Sequence, residues 1–142
     1  MKVLNLKVKK LHPKAIIPTR AHNEDAGLDL YALEKVQINS HQEKLIRTGL
    51  ALAIPSGWYG SIEDRGSTPV KMKLTKAAGI IDSNYRDELQ IVMINYTNAP
   101  KTIEAGQKIA QMVILPVPKV EIELVNELDE TERTGGFGST GE

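Results

Sequence analysis

The chain has no cysteine, which removes disulfides and thiolate metal sites from consideration. Aromatic residues are scarce, with four Tyr, one Trp and a single Phe among 142 residues. Neither sign of charge is in excess, 18 basic residues standing against 18 acidic. A nucleic-acid surface wants a clustered basic surplus, so none is expected. The densest basic stretch is Lys71, Lys73 and Lys76. It reads as a solvated helix face and loop, or as a source of attraction for a nearby phosphate. His12, His22 and His41 are far apart and carry no ligand spacing. No apolar run approaches the ~18 residues of a membrane span. The start, Met1-Lys2-Val3-Leu4-Asn5, lacks the character of a signal peptide. These absences predict a soluble, cytoplasmic or otherwise intracellular protein with neither a membrane nor a nucleic acid as partner.

What is present is period-two alternation. Leu4, Leu6 and Val8 alternate with Asn5, Lys7 and Lys9; Leu28 and Leu30 flank Asp29; Val36 and Ile38 alternate, as do Leu50, Leu52 and Ile54. Val120, Ile122 and Leu124 alternate with Glu121, Glu123 and Val125. Turn signals punctuate these runs at His12-Pro13, Ile17-Pro18, Pro55-Ser56-Gly57, Asn98-Ala99-Pro100 and Glu104-Ala105-Gly106. Short strands with regular turns predict an all-β sandwich or barrel. At this length the chain is one domain with a real core. The reading divides it into a β body over 1–128 and a flexible C-terminal arm over 129–142.

Three segments carry chemical information. In Ala78-Gly79-Ile80-Ile81-Asp82-Ser83-Asn84-Tyr85 an apolar run delivers one carboxylate to a turn at Ser83-Asn84. Leu89, Ile91 and Met93 then alternate with Gln90, Val92 and Ile94. The pattern predicts a β-hairpin with an acid and an aromatic ring at its tip. Asp82 is either a general base, desolvated by apolar neighbours, or a turn residue bonded to its own backbone. The tail Arg133-Thr134-Gly135-Gly136-Phe137-Gly138-Ser139-Thr140-Gly141 places four glycines, three hydroxyls, an Arg and the lone Phe in nine residues. Such a tail is a free terminus, or a clamp whose backbone N–H groups and hydroxyls meet an anion while Phe137 stacks on a planar ligand. The Walker pattern is absent. In Asp64-Arg65-Gly66-Ser67-Thr68-Pro69, Ser67 or Thr68 is a suitable N-cap and Pro69 suits a first helical turn. A short helix over about Pro69 to Lys73 is predicted, with an anion site at its start beside Arg65.

Together these segments resemble the trimeric dUTP pyrophosphatase (dUTPase) family, in all of its motifs and in their order. Ala26-Gly27-Leu28-Asp29-Leu30 is similar to the first motif, Arg65-Gly66-Ser67 to the second and Gly79 to Glu88 to the third. Gly106-Gln107-Lys108-Ile109-Ala110-Gln111 is similar to the fourth, and Arg133 to Gly141 to the fifth. The resemblance implies a β jelly roll, a homotrimer whose tail crosses to a neighbour's site, and hydrolysis of dUTP to dUMP and diphosphate with Mg2+. That reaction lowers dUTP and supplies dUMP for dTMP synthesis.

By the same resemblance Asp82 orients and deprotonates the attacking water. Tyr85 packs against the deoxyribose and excludes a 2′-hydroxyl. The backbone of Gly79, Ile80 and Ile81 reads the uracil edge. Arg65, Gly66, Ser67, Gln111 and Arg133 meet the phosphates, and Phe137, Gly138, Ser139 and Thr140 close over the nucleotide. Asp29 lies near the metal-triphosphate region, holding ordered water or Tyr85. The metal is carried mainly by the triphosphate and water, as Mg2+ prefers.

The chain departs from the family pattern at four places. Gly66 stands where Ser usually follows the Arg, so the hydroxyl comes from Ser67 or is replaced by a backbone N–H. Asp87 replaces a Gly in the third motif, which questions a tight turn there. Lys108 replaces an Arg, and the two are not interchangeable in bidentate contacts. Arg133 precedes Phe137 by four positions, one fewer than usual. Two other functions stay open on the residues. One is a deaminase acting on dCTP from the same fold, which needs a Glu near the base. The other is a non-catalytic nucleotide-sensing module.

Overall fold

The computed structural model describes residues 2–138 and residue 141. Within them the strands are β1 (Lys7–Lys10), β2 (Leu28–Tyr31), β3 (Val36–Ile38), β4 (Glu43–Arg47), β5 (Leu50–Ala53), β6 (Trp58–Glu63), β7 (Leu74–Ala77), β8 (Ile80–Ile81), β9 (Gln90–Asn95), β10 (Lys101–Ile103) and β11 (Lys108–Pro116). They form a four-stranded sheet β2-β11-β6-β8, a three-stranded sheet β4-β9-β7, and the pairs β1-β5 and β10-β3. Every ladder is antiparallel.

Alternation decides which side chains enter the core. In β9, Ile91 and Met93 are buried while Gln90 is exposed. The core joins Leu30, Ile62 and Met112 of the larger sheet to Ile46, Leu74, Ile91 and Met93 of the smaller one, with Ile38 and Ile103 from β3 and β10. Each such aliphatic side chain contributes about 1.5–3 kcal/mol on burial. Asn95 is also fully buried. Its Nδ2 donates to the carbonyls of Ile38 (3.0 Å) and Ala99 (2.8 Å), and its Oδ1 accepts from the Thr97 amide at 2.9 Å. This is the all-β, jelly-roll-like sandwich that the sequence predicts.

A bulge between Lys108 and Ala110 interrupts the pairing of β11 with β2. The extra residue shifts the side-chain parity. Consecutive Ile109 and Ala110 are both fully buried, and Lys108 reaches the same Asp29 that faces Gln111 across the ladder.

Three expectations are corrected. The run around Asp82 is not a simple hairpin. β7 and β9 pair directly, Leu74 opposite Asn95 and Ala77 opposite Val92. Ala78 (φ 56°) and Gly79 (φ 134°) then turn the chain out of that ladder. Ile80 and Ile81 pair instead with Ser61 and Gly60 of β6, in the other sheet.

The short helix expected over about Pro69 to Lys73 is present as a single π-type turn, Thr68–Met72, with Pro at its start, and it is its cap that differs. Neither hydroxyl caps it. Ser67 has helical dihedrals and makes no side-chain cap bond. Thr68 is buried, its Oγ1 donating to the Ile109 carbonyl at 3.3 Å. One turn sums few peptide dipoles, so the expected anion site at its start has little field behind it.

The strand expected through Val120, Ile122 and Leu124 is not formed. The Val117 amide donates to the Gly57 carbonyl at 2.8 Å, and the described residues beyond it, to Gly138, form no strand and are exposed. The alternating apolar residues thus leave the body before the 1–128 boundary read from the sequence.

Candidate active site

A cleft of about 220 Å³ opens where β8 leaves β7 and crosses to β6. Ile62, Gly79, Ile80, Ile81, Asp82 and Tyr85 line it, together with Ala77, Ala78, Gln90 and Val92. Gly79 is required at its floor. A Cβ there would stand 2.9 Å from the Ile62 carbonyl oxygen, at a φ that L side chains rarely adopt. The Ile62 amide in turn donates to the Gly79 carbonyl at 2.8 Å. Backbone therefore lies directly against backbone, which leaves room for a flat ligand beside it.

The loop after β8 is held by its own polar groups. The Tyr85 amide donates to the Asp82 carbonyl at 3.1 Å, closing the turn with Ser83-Asn84 at its centre as expected. Arg86 Nη1 donates to the carbonyls of Ser83 (2.7 Å), Tyr85 (3.1 Å) and Leu52 (3.4 Å). Tyr85 Oη donates to the Glu88 carbonyl at 3.0 Å. The Glu88 carboxylate accepts from Arg47 Nε at 3.2 Å and from the Gly49 amide at 3.0 Å. Arg47, Arg86 and Glu88 thus fix the loop, and sequence reasoning gave none of them a role. Arg86 and Glu88 lie within the segment Gly79 to Glu88 that resembles the third motif, whereas Arg47 ends β4, far from it in sequence. Asp87 is not in the left-handed region, so replacing the usual Gly introduces no strain.

Asp82 itself is exposed. The apolar shielding expected for it is not supplied by this chain's own fold, because β8 ends one residue earlier and the carboxylate projects from the turn.

A second group of predicted residues gathers elsewhere. Asp29 is buried in β2 and faces two cations: Arg65 Nε donates to Oδ1 at 3.1 Å, and Lys108 Nζ lies 3.2 Å from Oδ2. Arg65 Nη1 also donates to Ser67 Oγ at 3.3 Å. Gln111 Nε2 donates to the Asp64 carbonyl at 3.0 Å. Gly27 permits this corner, since a Cβ on it would fall 2.1 Å from Gln111 Oε1. Asp29 does not hold Tyr85, whose hydroxyl is spent on Glu88. None of Asp29, Arg65, Ser67 and Gln111 lines the Asp82 cleft. The fold therefore assembles two separate clusters. Arg133, Gly136, Phe137 and Gly138 are exposed beyond the body; Ser139 and Thr140 lie outside the described residues.

No group of three or more His, Asp or Glu able to hold a metal ion occurs among the described residues. Both oxygens of Asp29 already face cations, so it offers no direct ligand. A donor set of this kind suits a cation carried by phosphate oxygens and water.

An all-β body with a backbone-walled cleft, a carboxylate at its mouth and a separate cationic corner defines a protein built to bind a small phosphorylated ligand. The family model for dUTPase matches residues 13–141, and the chain belongs to the dUTPase family. It is 44% identical over 141 residues to a deoxyuridine 5'-triphosphate nucleotidohydrolase of Picosynechococcus sp., covering 97% of this chain and 99% of that one. It is also 44% identical, over 140 residues, to one of Clostridioides difficile, with 96% and 98% covered. Among solved structures it resembles the dUTPase of Staphylococcus bacteriophage 80alpha with dUPNHPP, at TM-score 0.89 and 30% identity, with 96% and 98% covered. It also resembles a dUTPase variant of phage phi11 of S. aureus that coordinates a structural Mg(II) ion, at TM-score 0.83 and 27% identity, with 89% and 99% covered.

Proposed function

We propose that this chain hydrolyses dUTP to dUMP and diphosphate by attack of water on the α-phosphorus. The observation that carries the reading is the cleft in which Asp82 stands at the end of a wall made by Gly79, Ile80 and Ile81, with Tyr85 beside it. A cleft of about 220 Å³ suits a nucleoside and leaves a triphosphate outside it. Uracil lies against the Gly79–Ile81 backbone and Tyr85 borders the sugar. A base with the opposite donor and acceptor order leaves buried polar groups unpaired, which is strongly penalised.

Asp82 accepts a proton from the water as its oxygen bonds to the α-phosphorus. The bond from that phosphorus to the bridging oxygen breaks, and diphosphate departs with its electron pair. Arg65 and Arg133 offset the phosphate charge and Gln111 hydrogen-bonds near the phosphate chain, with Ser67 supplying the hydroxyl that Gly66 lacks. Asp29 would hold a Mg2+ only indirectly, through water, and such an ion would supply further neutralisation of the phosphate charge. Phe137, Gly138, Ser139 and Thr140 close over the nucleotide and exclude bulk water.

The separation of the two clusters supports a homotrimer in which each complete site combines the Asp82 cleft of one copy with the Arg65–Gln111 corner of another. The exposed Val120, Ile122 and Leu124 support an arm that docks on a neighbouring copy, with the segment from about residue 129 acting as its closing end. The absence, among the described residues, of a helix long and apolar enough to cross a membrane is compatible with a cytoplasmic site of action on the nucleotide pool.

A diphosphate-release assay with dUTP, dTTP, dCTP and UTP tests the reading. Release is expected from dUTP alone. Ammonia from dCTP would favour a deaminase, and binding of dUTP without turnover would favour a sensing module.

A further inference from the structure

We propose that Asp64 is a positioning residue that locks the phosphate-binding corner to the cleft rim of its own chain, which in the proposed trimer serves a different site; this rests on the dUTP hydrolysis proposed above. Asp64 immediately follows β6 and precedes Arg65. Its Oδ2 accepts from Thr75 Oγ1 at 2.7 Å and its Oδ1 from the Lys76 amide at 2.9 Å. Thr75 and Lys76 belong to β7, which pairs with β9 in the smaller sheet, whereas β6 pairs with β8 and β11 in the larger. No ladder joins β6 to β7, so the carboxylate spans the gap between sheets.

Both ends of that bridge lead to functional residues. On one side the Asp64 carbonyl accepts Gln111 Nε2 at 3.0 Å, and the next residue, Arg65, reaches Asp29 at 3.1 Å. On the other, Lys76 Nζ donates to the Ala78 carbonyl at 3.2 Å, and Ala77, Ala78 and Gly79 line the cleft. A half-buried carboxylate with both oxygens on donors from one strand fixes the rotation of its own peptide. That sets where Arg65 begins and where its carbonyl meets Gln111. Misplacement of phosphate contacts weakens substrate grip, because positioning is worth large rate factors for small displacements.

The role is geometric, and charge is not required. An Asn at this position accepts the Lys76 amide through its oxygen and donates from its amide to the Thr75 hydroxyl, which can accept. Ala keeps neither bond.

The test is steady-state hydrolysis of dUTP by the full chain and by Asp64→Ala, Asp64→Asn and Thr75→Val, with dUMP as competitive inhibitor. For Asp64→Ala, KM for dUTP rises about tenfold while kcat falls less than about threefold, as expected for lost phosphate grip. The inhibition constant of dUMP, which uses chiefly the cleft, moves less than about twofold. Asp64→Asn lies within about threefold of the original kcat/KM, and Thr75→Val falls between Asn and Ala, since it removes one of the two bonds. Loss of folded protein alone lowers kcat and leaves KM unchanged, so that pattern overturns the proposal. So does Asp64→Asn matching Asp64→Ala, or Asp64→Ala matching the original chain. If Asp64→Ala fails to fold, an unchanged KM in Thr75→Val overturns it. An original chain that releases no diphosphate refutes the dUTP reading itself, and that result is separate from any difference among the variants.

Discussion

Gly79→Ala is the sharpest perturbation of the cleft. The residue has φ of 134°, and holding a side chain in such a region costs about 1–3 kcal/mol. The new Cβ would also stand 2.9 Å from the Ile62 carbonyl oxygen and 3.3 Å from Ile62 Cβ. Relief requires β8 to retreat from β6. That lengthens the 2.8 Å bond from the Ile62 amide to the Gly79 carbonyl, at a further cost of about 1 kcal/mol. The total is about 2–4 kcal/mol. A domain of this size loses about 3–5 °C in Tm per kcal/mol, so calorimetry should show a fall of about 6–20 °C. The same retreat carries Asp82, three residues on, away from its water. A displacement of ~1 Å should lower kcat/KM for dUTP about 100-fold. Gly66→Ala is the control, because nothing lies within 4 Å of the added Cβ; its stability should change by less than about 0.5 kcal/mol. An unchanged Tm together with an unchanged kcat/KM in Gly79→Ala would show that the cleft floor is not set by the β6–β8 approach.

Other perturbations separate the remaining parts of the site. Asp82→Asn keeps the shape and removes the base: turnover should drop by at least ~100-fold, while calorimetric binding of an unhydrolysable dUTP analogue stays within about threefold. Normal turnover in that variant would take Asp82 out of the chemistry. Gly27→Ala places a Cβ 2.1 Å from Gln111 Oε1 and must displace that amide, so KM for dUTP should rise by about tenfold with kcat less affected. Deletion of residues 133–142 should remove most activity and leave the thermal transition of the body within about 2 °C, since Arg133 to Gly138 are exposed and terminal residues of that kind carry little stability. A fully active truncation would refute the closing arm.

Residues that act through local pattern were legible in the sequence. The alternation at Leu89, Ile91 and Met93 places these side chains in the core, and the Ser83-Asn84 turn falls where the residue types put it. What was not legible depends on distant partners. Ile80 and Ile81 read as the first arm of a hairpin because period-two pattern does not say which strand will pair. The positive φ at Ala78 and Gly79 redirects them to β6. The Asp29 contacts join residues far apart in sequence through a bulge in β11, and bulges leave almost no composition signal. Val120, Ile122 and Leu124 have the pattern of a strand and stay exposed, because pattern declares a face to be buried without declaring whose surface buries it. Ser67 and Thr68 suit a cap by type, yet Thr68 is drawn into the core and Ser67 takes helical dihedrals and makes no cap bond.

The exposure of Asp82 sets the terms on which the arm can work. Asp82 is exposed in this chain's own body, and the proposed reaction excludes bulk water, so its cover must come from outside that body. The arm is the available cover, but its closure is costly. Fixing the backbone of the six residues from Arg133 to Gly138 at about 1–2 kcal/mol each opposes closure by roughly 6–12 kcal/mol. Stacking of Phe137 on a base returns about 1–3 kcal/mol. That is far too little to hold the arm shut on a nucleoside alone. Charged hydrogen bonds to phosphate oxygens contribute about 1.5–3 kcal/mol each, and several are needed. Closure should therefore require the β- and γ-phosphates, and departure of diphosphate should reopen the arm and free dUMP. Limited trypsin cleavage after Arg133 reads this directly. An unhydrolysable dUTP analogue should slow cleavage at least tenfold, a factor worth about 1.4 kcal/mol of closure, while saturating dUMP should change it less than about twofold. Equal protection by the two ligands would mean that the phosphates do not hold the arm, and would leave the exposed carboxylate without the cover this mechanism requires.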